Sequence, residues 1–189
     1  MRSKILAFAG SARKDSYNKK LIRIATEGAR ATGAEVTLID LRDFPLPVFD
    51  EDLEKEQGLP AHARQLKDLF NSHQGLLIAS PEYNSTISPL LKNTIDWVSR
   101  QAEGETPLMA FKGKFAGLLS ASPGGLGGIR GLVAVRSLLG NIGVIVLPDQ
   151  LCISKAYEAF QENGALKDEK NQEQAKNIGS QVAKWITKL

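Results

Sequence analysis

The chain is poor in the residues that metal and thiol chemistry need. There is one cysteine, Cys152, which excludes an internal disulfide framework. No group of Cys, His, Asp and Glu has metal-ligand spacing. Only two histidines occur, His62 and His73. Both fall on one polar helical stretch and its end, read as ordinary surface positions, with nothing nearby to make a catalytic pair. No apolar run approaches the ~18 residues of a membrane span. The short apolar run near the N-terminus fits a first strand and is followed by no A-x-A-like cleavage site. Neither sign of charge dominates: 24 Lys and Arg against 21 Asp and Glu leave +3, scattered and interleaved. That argues against nucleic acid and against tethering to an acidic membrane, while suiting a small anionic ligand. A cytoplasmic protein is the expectation.

What is present is an alternation. "KILAFAGS" reads as a strand, and Tyr17 to Thr32 carries Leu21, Ile22, Ala25 and Ala29 at helical spacing, stopped by Gly33. "EVTLIDL" is a second strand. The Pro-rich segment Arg42 to Pro60 reads as too polar and broken for a regular element. Its Phe44, Leu46, Val48 and Phe49 are anchors enough for an ordered loop, one that could line a substrate. Pro60 to Phe70 is a helix and Gly75 to Ser80 a strand. Pro89 to Arg100 is a helix capped by Ser88, with Pro89 at its first position. "KFAGLLSAS", then a helix Ile129 to Leu139, "GVIVLP", and a helix Asp168 to Lys188 complete the pattern. Five continuously apolar strands alternating with five helices imply a parallel sheet covered on both faces, in one α/β domain over 1–189.

In such a sheet ligands bind outside the carboxyl ends of the strands. Three loops lie there. The first, "GSARKDSYN", offers hydroxyls at Ser11 and Ser16, the cation Arg13, the amide Asn18 and the free N–H groups of a helix start. A phosphate monoester fits it. It is neither a P-loop nor a dinucleotide fingerprint, and a Ser-rich turn with a solvated arginine is the plain alternative. The second, "SPEYNSTISPLLKNTIDW", sets Pro81, Glu82, Tyr83 and Asn84 at the end of a buried strand. A rim aromatic, a surface charge and a turn-former would explain them singly; together they suit a planar heterocycle. The third, "SASPGGLGGIRG", contains Ser122, Gly124 and Gly125 and permits close backbone approach, or is merely a loose surface loop. One phosphate cradle beside a flat slot points to a mononucleotide such as flavin mononucleotide (FMN).

These three segments resemble the NADPH-dependent FMN reductase family, the flavodoxin-like group of chromate, quinone and azo-compound reductases. "GSARKDSYN" is similar to its G-S-x-R-x-x-S-x-N loop, and "PEYNSTISPLLKNTIDWVSR" to its P-E-Y-N segment followed by L-K-N-x-I-D-W. "SASPGGLGGIRG" is similar to its glycine-rich third loop. The resemblance implies a flavodoxin-like three-layer sandwich with a five-stranded parallel sheet of order 2-1-3-4-5. It implies FMN held at the phosphate by Ser11, Arg13, Ser16 and Asn18. Pro81, Glu82, Tyr83 and Asn84 would border the ring, and Ser122, Gly124 and Gly125 would approach it. NADPH or NADH would be co-substrate, and two electrons would pass in a ping-pong cycle to a quinone, azo compound, chromate or free flavin. No catalytic side chain and no metal is implied.

A homodimer or homotetramer is implied too, with Trp97 and Arg100 expected to help bury a neighbouring protomer. Read on the helix alone, Asp96 and Arg100 form a solvated i, i+4 pair. A flavodoxin-like carrier of single electrons is the alternative function, although a basic chain with Arg13 at the phosphate speaks against it. A cofactor-free interaction module is a third. The chain departs from the family where many members carry S-x-P-G: "TISP" leaves the loop path after Asn84 open. Cys152 reads as a small buried residue.

Overall fold

The computed structural model describes residues 2–188. Strands β1 (Lys4–Ala9), β2 (Glu35–Leu38), β3 (Gly75–Ala79), β6 (Phe115–Ala121) and β7 (Ile145–Ile153) form one parallel sheet of order β2-β1-β3-β6-β7. This is the order expected. Two further strands, β4 (Glu82–Tyr83) and β5 (Thr86–Ile87), make a separate hairpin above it. The helices are α1 (Tyr17–Ala31), α2 (Glu51–Gln57), α3 (Ala61–Asn71), α4 (Pro89–Val98), α5 (Ile129–Asn141), α6 (Ala156–Ala159) and α7 (Glu169–Ile186).

The apolar strands bury both faces, and alternate residues supply the two cores. Ile5, Ala7, Leu77 and Leu119 face α1 and α7, packing on Leu21, Ala25, Ile178 and Val182. Leu6, Phe8, Ile78 and Leu118 face α3, α4 and α5, packing on Phe70, Ile95 and Leu132.

Several expectations need correction. The segment 42–60 contains a regular element: Asp50 caps α2 by accepting from the N–H groups of Asp52 and Leu53, Glu51, Asp52 and Glu54 favour the positive helix start, and Gly58 ends it. Local capping outweighs the absence of an apolar stripe. The segment is held by side chains of α4. Asn93 Oδ1 accepts from Phe49 N–H and its Nδ2 donates to Pro47 O, both at 2.8 Å, and Trp97 Nε1 donates to the same carbonyl at 2.8 Å. Trp97 is thereby fully buried against the ring of Phe49. Arg100 Nε lies 2.9 Å from both oxygens of Glu54, while Asp96 pairs with Lys92. Trp97 is not free to cover another protomer as expected, Arg100 keeps 40% of its side chain exposed beside Glu54, and Asp96 and Arg100 are not partners. Val48, read as an anchor, is 84% exposed.

His73 is not a surface residue. It is buried, with Nε2 2.8 Å from Thr37 Oγ1 and Nδ1 2.6 Å from Leu69 O. The chain turn after α3 carries it under the sheet edge. Strand β7 runs five residues beyond "GVIVLP", because a register slip opposite Ala116–Leu118 absorbs Pro148, which has no N–H for a ladder. The α6 turn carried no periodic signal in the sequence.

Candidate functional site

The carboxyl edge of the sheet is built from four loops, three joined by side-chain bonds and the fourth by backbone bonds alone. The first loop leaves β1 at Gly10 and enters α1 at Ser16. Ser11, Ser16 and Asn18 are buried, and Arg13 is exposed, with its side chain in no ion pair among the described residues. Ser16 occupies the cap position of α1, yet its hydroxyl makes no capping bond, and no acid sits in the first turn. The free N–H groups and partial positive charge of a 15-residue helix are thus unanswered by the protein. Anion binding is what such a helix start is built for.

The Asn18 amide is turned inward. Nδ2 donates to Ala121 O and Oδ1 accepts from Ala121 N–H, each at 2.9 Å. This double bond between side chain and backbone fixes the first loop to the end of β6, directly before Ser122.

In the second loop, Pro81 is buried and the chain reverses through Asn84 and Ser85, with φ 50° and 67°. Both central residues are left-handed, the signature of a two-residue hairpin turn that matches strand twist. Tyr83 is 44% exposed on this turn. The path left open by "TISP" is therefore a return strand, β5. Ser88 then performs two tasks: its Oγ donates to Gly10 O at 2.6 Å and caps α4 through Leu91 N–H at 3.2 Å. The proline that S-x-P-G places at this position could do neither, so the departure ties the second loop to the first.

Glu82 points at α5. One carboxylate oxygen accepts from Gly131 N–H at 3.1 Å and the other pairs with Arg130. Burial alone would push its pKa up, but the Gly131 N–H and Arg130 more than reverse this, so the carboxyl lies below its ordinary value. This joins the hairpin to the third loop.

The third loop passes over Ser120 and needs glycine at its end. Gly128 has φ 92°, and a Cβ there would lie 2.0 Å from Ser120 Oγ. Gly124 and Gly125 are exposed, and a Cβ on Gly125 would meet nothing within 4 Å. Ser122 is half-buried, its Oγ accepting from Gly124 N–H at 3.3 Å.

The fourth element, the start of the β7–α7 connection, was not anticipated. Lys155 N–H donates to Gly124 O at 3.4 Å and Ala156 N–H to Ser122 O at 3.1 Å. No motif in "ISKAYEAF" signals this, since only backbone groups make the contacts. Ser88, Arg130 and Gly131 were likewise read only as helix parts. Cys152, beneath the third loop, is partly buried, and burial together with nearby Glu82 pushes its thiol up to about 11. It is not a thiolate at neutral pH. The described residues contain no metal-ligating cluster and no helix long and apolar enough to cross a membrane.

The family model for NADPH-dependent FMN reductase matches residues 3–158. An NAD(P)H-dependent FMN reductase of Pseudomonas aeruginosa is 33% identical over 187 residues, covering 98% of this chain and 96% of the relative. A quinone reductase of Pseudomonas putida is 31% identical over 166 residues, covering 87% and 84%. Among solved structures, a flavoenzyme NAD(P)H:(acceptor) oxidoreductase from Paracoccus denitrificans superposes with a TM-score of 0.79 at 26% identity, covering 98% of both chains.

Proposed function

The chain belongs to the NADPH-dependent FMN reductase family, and from that premise we propose that it passes two electrons from NADPH or NADH to a small acceptor by a ping-pong cycle. It is an oxidoreductase with FMN as cofactor and a reduced nicotinamide as donor. FMN bound there would supply the redox chemistry, the acceptance of hydride from a nicotinamide and the release of two electrons to a quinone or similar oxidant. The chain's own residues bind, orient and polarise.

The observation that carries this reading is the uncapped start of α1 beside Ser11 and Ser16. It offers a phosphate monoester several donors and no competing carboxylate in the first helical turn. Arg13 has no ion-pair partner among the described residues and lies on the exposed side of the same loop. Asn18 contributes by holding that loop to β6. Tyr83 and Asn84, on a turn with little freedom, form one edge of a flat slot. Pro81 and Glu82 set the position of that turn, Glu82 through α5. Ser122, Gly124 and Gly125 form the facing wall, where backbone N–H groups meet the negative charge that reduction brings to the pyrimidine side. The open side admits donor and acceptor in turn. The segment 42–60, fixed to α4, borders the acceptor's approach.

The flavin-free chain titrated with FMN should quench the cofactor's fluorescence, melt at a higher temperature and stay yellow after free FMN is removed. Under anaerobic conditions NADPH or NADH should bleach it, and a quinone should restore the colour. A yellow protein that neither nicotinamide bleaches would instead be an electron carrier. Failure to take up FMN at micromolar concentration would sink both.

A further inference from the structure

Among the described residues, four non-glycine positions adopt a left-handed backbone: Asn84, Ser85, Leu108 and Lys155. Asn84 and Ser85 are the central residues of a tight hairpin turn, which requires that conformation. Lys155 has no such excuse. It stands at φ 45° and ψ 47°, where its Cβ crowds the following carbonyl and glycine would not. Its neighbourhood leaves no freedom to relax. Its N–H bonds Gly124 O, the next N–H bonds Ser122 O, and Ala156 is fully buried. A Cβ on Gly127 would lie 3.0 Å from backbone atoms of Cys152, Ile153 and Ser154, so the glycine turn rests directly on this chain. At the far end Phe160 stacks on Tyr17, the first residue of α1, with centroids 5.9 Å apart. The stretch 154–160 is thus a strap fixed between the third loop and the phosphate-side helix.

The strained side chain has little to do inside the protein. The Lys155 side chain is 65% exposed, and its carboxylate neighbour among the described residues, Glu158, is 3.9 Å away with its side chain 56% exposed. Such a pair contributes little. A residue held in a costly conformation, with a largely exposed cation and a backbone that together with Ala156 bonds two of the three residues proposed to face the ring, has the marks of a functional position.

We propose that Lys155 is the cation of the flavin slot, placed by the strap to hold the negative charge that reduction leaves on the pyrimidine side of FMN. This rests on the flavin reading above and extends it to a side chain outside the three family-like loops. Its attachment to the glycine-turn end of the strap favours the ring over the phosphate, which lies at the Phe160–Tyr17 end.

Three variants test it. Lys155→Gly removes both strain and charge, Lys155→Met only the charge, and Lys155→Arg keeps the charge. The flavin-free Lys155→Gly chain should melt at or above the wild-type temperature, and Lys155→Met should show no gain. Both should bind FMN and riboflavin roughly tenfold more weakly, the size of one charge-assisted hydrogen bond. Both should also lower the midpoint potential of the bound flavin, and Lys155→Arg should restore both properties. Wild-type affinity and potential in Lys155→Gly and Lys155→Met would overturn the proposal. So would a loss seen with FMN but not with riboflavin, which would move the lysine to the phosphate. If the wild-type chain takes up neither flavin, the cofactor reading itself fails, and no difference among variants would then appear.

Discussion

Replacing Asn18 with alanine separates two roles that one residue in the first loop could play. Asn18 is 3% exposed and makes two 2.9 Å bonds to Ala121, one in each direction. Truncation leaves a buried N–H and a buried C=O at the end of β6 without partners. Each such group costs about 1–3 kcal/mol. Alanine returns about 0.5 kcal/mol through better helix propensity near the start of α1. The net loss is then about 1.5–5.5 kcal/mol, equivalent to roughly 3–22 °C in melting temperature for a chain of this size. Urea unfolding of the flavin-free protein should show a lower midpoint with an unchanged slope. FMN should lose affinity more than riboflavin, because the displaced loop carries the proposed phosphate ligands; the loss of stability is what marks Asn18 as holding that loop and not as a ligand itself. Asn18→Asp sharpens the test: its carboxylate still accepts from Ala121 N–H but faces Ala121 O with no donor, so at neutral pH it should cost at least as much. An Asn18→Ala protein within 0.5 kcal/mol of wild type, with only FMN binding weakened, would refute the reasoning.

Gly125→Val should leave the flavin-free melting temperature unchanged, since a side chain there meets only open space. It should weaken FMN binding at least tenfold, as measured by fluorescence quenching. Lys67 is 3% exposed and pairs with Glu105. Glu105→Gln, which strands that ammonium, should destabilise by about 3 kcal/mol in urea unfolding. Burial raises the Glu105 pKa, but Lys67 and the Ala102 N–H bring it below the ordinary value, as Lys19 and the Arg42 N–H do for Asp40. These carboxylates stabilise the fold above the unfolded carboxylate pKa, and the contribution is lost as pH falls through their lower folded values. The urea midpoint should therefore decline below about pH 5, and less steeply in Glu105→Gln. Cys152, its thiol pushed up to about 11, should resist iodoacetamide at pH 8 in the native protein and react on unfolding.

The sheet, its order and the two buried faces were legible in the sequence because continuously apolar strands and amphipathic helices are local signals, repeated often enough to leave one architecture. The three loops were legible because strand and helix boundaries place them on one edge, whatever the side chains then do. What the side chains do was decided in three dimensions. Asn18, Glu82 and Ser88 each read as a ligand or a cap, and each proved to bond an element 49 to 103 residues away. Trp97 and Arg100 looked available on a helical wheel, and the segment 42–60 folded over both. Lys155 carried no motif, since its place follows from main-chain bonds and a backbone angle. Periodicity reports which face is buried; only the tertiary structure determines which polar atom finds which partner, because those partners are distant in sequence and their selection depends on how the loops close over the sheet.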